Sequence, residues 1–202
     1  MTKTIYNEEK YVEKYQDPTA AMAIENINKE NKKNRNRIQG YRSRSIGKSF
    51  EGIIDQACFK YGDLGRAIIE KTPEPMKIIR KGEKGQFTAC FEKKAQPDYK
   101  GVLYKGQSII FEAKATEKEQ IKKDVITPGQ FESLDNHWKI NAIVFVMVCF
   151  QLERYYRVPW GTWREMELLY GRKYLKESDI EEYRVFFKNG CLDFLNNIME
   201  VI

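Results

Sequence analysis

The stretch PDYKGVLYKGQSIIFEAKATEK, residues 97–118, holds two short β-prone runs, Asp98 to Tyr104 and Ser108 to Lys114, on either side of a Lys105-Gly106 turn. Side chains two apart on a strand share a face. Glu112 and Lys114 therefore project together, while Ile109, Phe111 and Ala113 turn the other way into apolar packing, the pattern of a half-exposed strand beside a site. The place of Asp98 depends on hairpin register. A two-residue turn sets it opposite Ala113, on the wrong face. A three-residue loop of Lys105, Gly106 and Gln107, with Gly106 at positive φ, sets it opposite Lys114 and diagonal to Glu112, roughly 7–8 Å away. Two carboxylates at that reach can share a hard divalent cation, whose usual ligands are carboxylate, water and phosphate oxygens. Such a cation acidifies bound water and neutralises charge on a phosphate, and a nearby ammonium orients the water or stabilises the transition state. Lys114 is placed for that last role.

Downstream, Thr127-Pro128-Gly129-Gln130 combines a cap residue, a proline at the first helical position and a glutamine three after the cap, which predicts a helix to about Lys139. Ala142 to Phe150 is a continuous apolar run of the kind that fills a sheet buried on both faces, and Gln151 to Val158, stopped by Pro159, supplies a partner strand. From Trp160 the pattern reads as short amphipathic helices, with Ser178 capping a segment that ends near Lys188. Upstream, Ile46, Phe50, Ile53, Ile54, Ala57, Cys58 and Tyr61 recur at spacings of three and four and define one helical face, ended by Gly62, with Glu51 and Asp55 beside it. Lys71 to Met76 is extended by its prolines, and Lys77 to Phe91, basic and broken by glycine turns, looks like a ribbon projecting from the core. Residues 1 to about 40 are polar and lack a sustained apolar period, although Tyr11, Val12 and Tyr15 could start a short helix; they read as a mobile arm.

With 202 residues and 42% hydrophobic content, the chain can bury one substantial core. Its formal charge of +6 is unevenly spread. Between Lys29 and Lys48 stand Lys29, Lys32, Lys33, Arg35, Arg37, Arg42, Arg44 and Lys48 against the single acid Glu30, a run whose natural counterpart is a polyanion. Cys58, Cys90, Cys149 and Cys191 are far apart and there is one histidine, so neither a zinc site nor a disulfide framework is indicated. The N-terminus is charged where a signal peptide is apolar, and Ala142 to Phe150 is too short to span a bilayer. The reading is a soluble, cytoplasmic protein with no membrane partner.

Pro97-Asp98, a gap of thirteen residues and Glu112-Ala113-Lys114 resemble the PD-(D/E)xK nuclease motif. Within that superfamily, Pro97-Asp98-Tyr99-Lys100-Gly101 followed by Phe111-Glu112-Ala113-Lys114 is similar to the RecU Holliday-junction resolvases. Thr72-Pro73-Glu74-Pro75, the Gly47-to-Ile54 helix and the helix bearing Gln130 and His137 are similar too, so the resemblance covers roughly residues 40–160. It implies an α/β fold with a restriction-endonuclease-like core, a mixed central β-sheet flanked by helices, a projecting stalk ribbon and a helical C-terminal extension. The expected divisions are a basic arm over 1–40, a nuclease core over 41–165 with the stalk at about 77–94, and the extension over 166–202. The resemblance further implies a homodimer that cuts paired strands of branched double-stranded DNA, inserts the stalk into the junction and leaves 5′-phosphate ends. Mg²⁺, with Mn²⁺ as a substitute, is its expected ion, and no small-molecule cofactor is implied. Asp98, Glu112 and Gln130 would lie near the metal, with Lys114 as catalytic lysine and Glu51 as the added helix acid. Arg35, Arg37, Arg42, Arg44 and Lys48, with Lys81 and Lys84 of the ribbon, are the expected phosphate contacts, which position DNA without reading sequence. Gln96 stands where the family tends to carry a hydroxyl residue.

Each residue also has a plainer account. Gln130 completes a capping box with Thr127, Glu51 is a first-turn helix acid or a partner of Lys48, and Trp160 and Trp163 are core or dimer anchors. His137 is left out of the chemistry. Three rivals remain: a restriction-type endonuclease on the same fold, a non-catalytic junction-binding recombination accessory protein, and a single-strand or RNA-binding module.

Overall fold

The computed structural model describes residues 18–73, 75–83, 85–91, 96–196 and 198. The helix start expected around Tyr11, Val12 and Tyr15, and the positions of Glu74 and Lys84, lie outside the described residues. The chain divides into two compact units between Arg44 and Ser45.

In the first unit the described residues form the opening part of helix α1, Pro18–Asp63. The stretch that reads from the sequence as a mobile arm is helical over its described residues. Pro18 suits a first helical turn, alanines follow at positions 20, 21 and 23, and Glu25 pairs with Lys29 one turn later at 2.7 Å. Residues 24–39 are all exposed, so no face of this stretch is buried and no apolar period marks it.

The second unit begins with the rest of α1, where the expected face is buried: Phe50, Ile54, Ala57, Cys58 and Tyr61. A six-stranded sheet follows, built from β1 (Ala67–Lys71), β4 (Tyr99–Leu103), β5 (Ser108–Thr116), β7 (Ile143–Phe150), β8 (Arg154–Pro159) and β10 (Arg184–Val185) in the order β1-β4-β5-β7-β8-β10. All neighbours are antiparallel except β5 and β7, which run parallel and are joined through helix α2 (Pro128–Lys139). The sheet is mixed and flanked by helices, as expected. β2 (Met76–Lys81) and β3 (Phe87–Phe91) make a separate two-stranded antiparallel ribbon.

Alternation along the central strands sorts side chains into two cores. Ile109 and Phe111 of β5, Phe145, Met147 and Cys149 of β7, and Tyr99 pack under α1. Ile110, Val144, Val146 and Val148 pack with Leu134 of α2 and with Trp160 and Trp163 of helix α3 (Trp160–Arg164). Strand β5 is therefore covered on both faces near Glu112, which corrects the expected half-exposed strand: a strand between two others, with a helix over each face, has no solvent side there.

The C-terminal segment is the second difference. After the short helix α4 (Met166–Tyr170) it forms two 3-10 turns and the short strands β9 (Tyr174–Lys176), β10, β11 (Phe187–Lys188) and β12 (Cys191–Leu192), with β6 (Gln120–Lys122) pairing β9. Strands of two or three residues are shorter than one helical period, so their apolar residues mimic helical spacing. Gly171 at positive φ ends α4, and Asn189-Gly190, both at positive φ, turn the chain from β11 into β12. The segment fills both cores, with Leu175 and Ile180 on one side and Val185, Leu192, Phe194 and Leu195 on the other.

Gly101 lies where β4 passes closest to β1: a Cβ there would fall 2.2 Å from the Ile68 carbonyl oxygen and 2.7 Å from Ile69 Cα. Backbone cannot yield as a flexible side chain can. Gly101→Ala is expected to cost about 2–3 kcal/mol in urea unfolding, whereas Gly52→Ala, with open space around it in α1, should stabilise by roughly 0.5–1 kcal/mol. Equal effects of the two substitutions would contradict this reading of β4.

Candidate active site

Three aromatic rings on adjacent strands set the register of the site. Tyr99 stacks on Phe111 at 4.8 Å and Phe111 on Phe145 at 4.7 Å, in step with the pairings Tyr99↔Phe111 and Phe111↔Phe145. The hairpin loop is Tyr104-Lys105-Gly106, closed by Leu103 N–H to the Gln107 carbonyl at 2.8 Å, not the expected Lys105-Gly106-Gln107. Lys105 as well as Gly106 takes positive φ, so the chain reverses one residue earlier. Moving a three-residue loop by one position moves the partner by two. Asp98 therefore comes level with Glu112 rather than with Lys114, and the face is unchanged.

Glu112 is fully buried, at 0% exposure. Its Oε2 accepts from Lys114 Nζ at 2.7 Å and from Gln130 Nε2 at 2.8 Å, while Oε1 is buried with no hydrogen-bond partner among the described residues. Asp98, with 29% of its side chain exposed, accepts through Oδ2 from the Ala113 amide at 3.0 Å and, more weakly, from Lys114 Nζ at 3.5 Å. Burial pushes the Glu112 carboxyl up to about 8; the Lys114 ammonium pulls it down and the Asp98 carboxylate adds to the rise. For Lys114, burial favours the neutral amine, but the two carboxylates outweigh it and its pKa is raised.

This donor set fits a hard divalent cation. A carboxylate oxygen that is buried and unpaired is otherwise a net expense of folding, and a half-buried carboxylate stands beside it. Among the described residues no cluster of three or more His, Cys, Asp and Glu could hold a metal, so the protein offers two carboxylates, a number Mg²⁺ commonly accepts with water and phosphate oxygens.

Gln130 reaches the site and also completes the capping box, so its two accounts are one. Its Oε1 accepts from the Thr127 amide and hydroxyl, both at 3.1 Å, and its Nε2 faces Glu112. Glu51 approaches the group through Lys71: its carboxylate pairs with Lys71 at 2.6 Å and not with Lys48, Lys71 also feels Asp98, and Glu51 makes no described bond to Asp98, Glu112 or Lys114. Lys71 and Tyr99 were not singled out in the sequence. Tyr99 donates to Asp55 at 2.7 Å and to the Glu51 carbonyl at 3.2 Å, and Lys71 feels Glu51 first, then Asp55 and Asp98. The signal that would have found Lys71 is the β1–β4 pairing, and five residues reading AIIEK do not announce a strand. Gln96 is exposed and accepts from Lys100 at 3.5 Å. His137 sits on the Ser133 carbonyl at 2.7 Å, away from the chemistry. Trp160 and Trp163 are core. Arg35, Arg37, Arg42, Arg44, Lys48 and Lys81 are exposed, and Arg44 lies over the Tyr41 ring at 4.8 Å.

A mixed sheet between helices that carries an aspartate level with an acid-x-lysine pair places the protein in the PD-(D/E)xK nuclease class. The family model for recombination protein U matches residues 45–200, and the chain belongs to the RecU family. It is 32% identical over 151 residues to the Holliday junction resolvase RecU of Staphylococcus epidermidis, covering 71% of each chain. It is 31% identical over 165 residues to that of Streptococcus pneumoniae, covering 76% of this chain and 83% of the relative. Among solved structures, Hjc, a Holliday junction resolvase from Archaeoglobus fulgidus, aligns with TM-score 0.43 and 12% identity over 67% of this chain and 88% of its own.

The two lysine pairs should respond differently to mutation. Lys114→Met removes the cation that draws the Glu112 carboxyl down, so the buried group stays protonated at pH 7 and loses one of its two partners, and the variant is expected to destabilise the metal-free protein by about 1–3 kcal/mol. Lys71→Met breaks a pair whose side chains are 47% and 32% exposed and should cost less than about 1 kcal/mol. Denaturant titration of both variants checks the order.

Proposed function

We propose that this protein is a magnesium-dependent endonuclease that resolves four-way DNA junctions by paired strand cuts; its relatives are named Holliday junction resolvases. The observation that carries the reading is the bare, buried Oε1 of Glu112 level with Asp98, on a face that also holds an ammonium. Asp98 and Glu112 would hold Mg²⁺, or Mn²⁺ in its place. The bound cation supplies charge neutralisation at the phosphate and a water acidic enough to attack near neutral pH. Lys114, kept charged by its two carboxylates, would donate N–H to the incoming water or to a non-bridging phosphate oxygen; the water would give its proton to solvent as its oxygen bonds to phosphorus, the P–O3′ bond would break, and the 3′ oxygen would take a proton from solvent, leaving 3′-hydroxyl and 5′-phosphate ends. Glu51 acts on this site from α1, in company with Lys71.

Exposed Arg35, Arg37, Arg42, Arg44, Lys48 and Lys81, with Lys84, supply phosphate contacts, which fix register on the duplex without reading bases. The β2–β3 ribbon enters the junction. A substrate with two-fold symmetry cut at two places calls for two sites, so we infer a homodimer. We assign the protein to the cytoplasm on the ground of its proposed DNA substrate; among the described residues no helix is long and apolar enough to cross a membrane.

Incubation with a labelled four-way junction and matched linear duplex should give paired nicks in the junction alone, with Mg²⁺ and not with EDTA. Asp98→Asn and Glu112→Gln should each lower cleavage by on the order of 1,000-fold or more while junction binding persists. Normal cutting by either variant would remove the site assignment, linear cutting at one sequence would favour a restriction-type enzyme, and binding without cutting an accessory protein. In the same binding assay, each arginine-to-alanine change at Arg35, Arg37, Arg42 or Arg44 should reduce the slope of log affinity against log salt by about 1. An unchanged slope would remove that residue from the phosphate contacts.

A further inference from the structure

The exposed part of α1 is not equally basic all round. At about 100° per residue, Ile24, Ile27, Asn31, Asn34, Ile38 and Tyr41, spaced three and four apart, fall on one face. All six are exposed, so large apolar groups and two amides stand in water together along one stripe. The two asparagines interrupt the isoleucines, which is why no sustained apolar period marks the stretch. Charge lies beside the stripe. Arg35 and Arg42, seven apart, line one edge, and Arg37 and Arg44, seven apart, line the other, with Glu30 as the one acid on either edge.

A partner for this face is negative along two parallel borders and offers hydrogen bonds and apolar contact between them. The major groove of duplex DNA has that form. Its phosphate-lined borders stand about 12 Å apart, wide enough for one helix, and its floor presents the adenine edge that an asparagine amide pairs with through two bonds, beside the thymine methyl. A second copy of the helix does not suit the face, because pairing through it would bring the two sets of flanking arginines together. We propose that α1 lies in the major groove of a junction arm, where Asn31 and Asn34 read adenine edges and Ile38 meets a thymine methyl. From Asn31 to Ile38 the helix rises about 10 Å, or about three base-pair steps. The arginines hold the borders and carry no sequence information; the stripe supplies it. This inference rests on the reading of the protein as one that acts on branched DNA, and adds sequence selectivity to it.

The test is selection by the full-length protein from a pool of four-way junctions with randomised base pairs in the arms, in EDTA so that nothing is cut, followed by sequencing of the bound fraction. Wild-type protein should enrich A·T pairs within a run of about four base pairs. Asn31→Ala and Asn34→Ala should each lower the enrichment at one position by about ten-fold, whereas Arg37→Ala should weaken binding to every sequence alike. Alanine is the better helix former, so both asparagine variants should keep their helix content by circular dichroism. Equal recovery of all sequences by the wild type, or enrichment untouched in both asparagine variants, would overturn the inference, which falls alone if junctions are still cut in Mg²⁺. A flat selection together with a dimer that dissociates on Ile38→Asp would assign the stripe to a second copy instead. If the wild type neither holds nor cuts the junction, the reading of function fails first and takes the inference with it.

Discussion

The register of β4 against β5 is the constraint on which the rest of the site depends. Period-two alternation makes it unforgiving, because a slip of one residue carries Asp98 to the face occupied by Phe111. Three features hold it. The Tyr104-Lys105-Gly106 loop fixes the count at the turn, the Tyr99–Phe111–Phe145 stack fixes it across three strands, and Gly101 admits β1 so closely that no other residue fits. Asp98 lies immediately beyond the last ring pair. A packing preference of aromatic rings is thereby converted into the spacing of two carboxylates.

That spacing comes with an unfavourable element, a fully buried glutamate with an unpaired oxygen. In an ordinary core such a group would be selected against, since desolvation of a carboxylate is costly unless it is bonded throughout. Here the surroundings are built to tolerate it. β5 lies in the middle of the sheet, parallel to β7 over its whole length, and the strand is held by partners on both sides and by apolar packing above and below. The half that can be satisfied by protein is satisfied by Lys114 and Gln130, and the other half is left for a ligand.

What could be read in the sequence was whatever burial imprints on it. The apolar face of α1 from Phe50 to Tyr61, the continuous run of β7, the shared face of Glu112 and Lys114 and the capping box at Thr127 all leave a local periodic or positional mark. Features without such a mark were not legible. Residues 24–39 are helical and exposed all round, β1 is five residues long, and the C-terminal strands are too short to show a period. The loop was displaced by one residue because positive φ at Lys105 has no signature in a lysine. Gln130 was legible twice, as cap and as site, and the two readings looked like alternatives only because a sequence does not show that one amide has two ends.

The segments outside the motif explain why a short constellation is not enough. Arg157 on β8 donates to the Phe194 and Asn196 carbonyls, both at 2.7 Å, and Tyr61 at the end of α1 donates to the Leu192 carbonyl at 3.0 Å while accepting from the Leu195 amide at 3.2 Å. These bonds tie the last described turn to both the sheet and α1, across more than 130 residues in the case of Tyr61. Phe194 then packs edge-on against Phe111, the ring between Tyr99 and Phe145. The C-terminal segment thus bears on the same stack that sets the β4–β5 register. Its two-residue strands and turns, which carry no catalytic group, are part of what holds Asp98 level with Glu112.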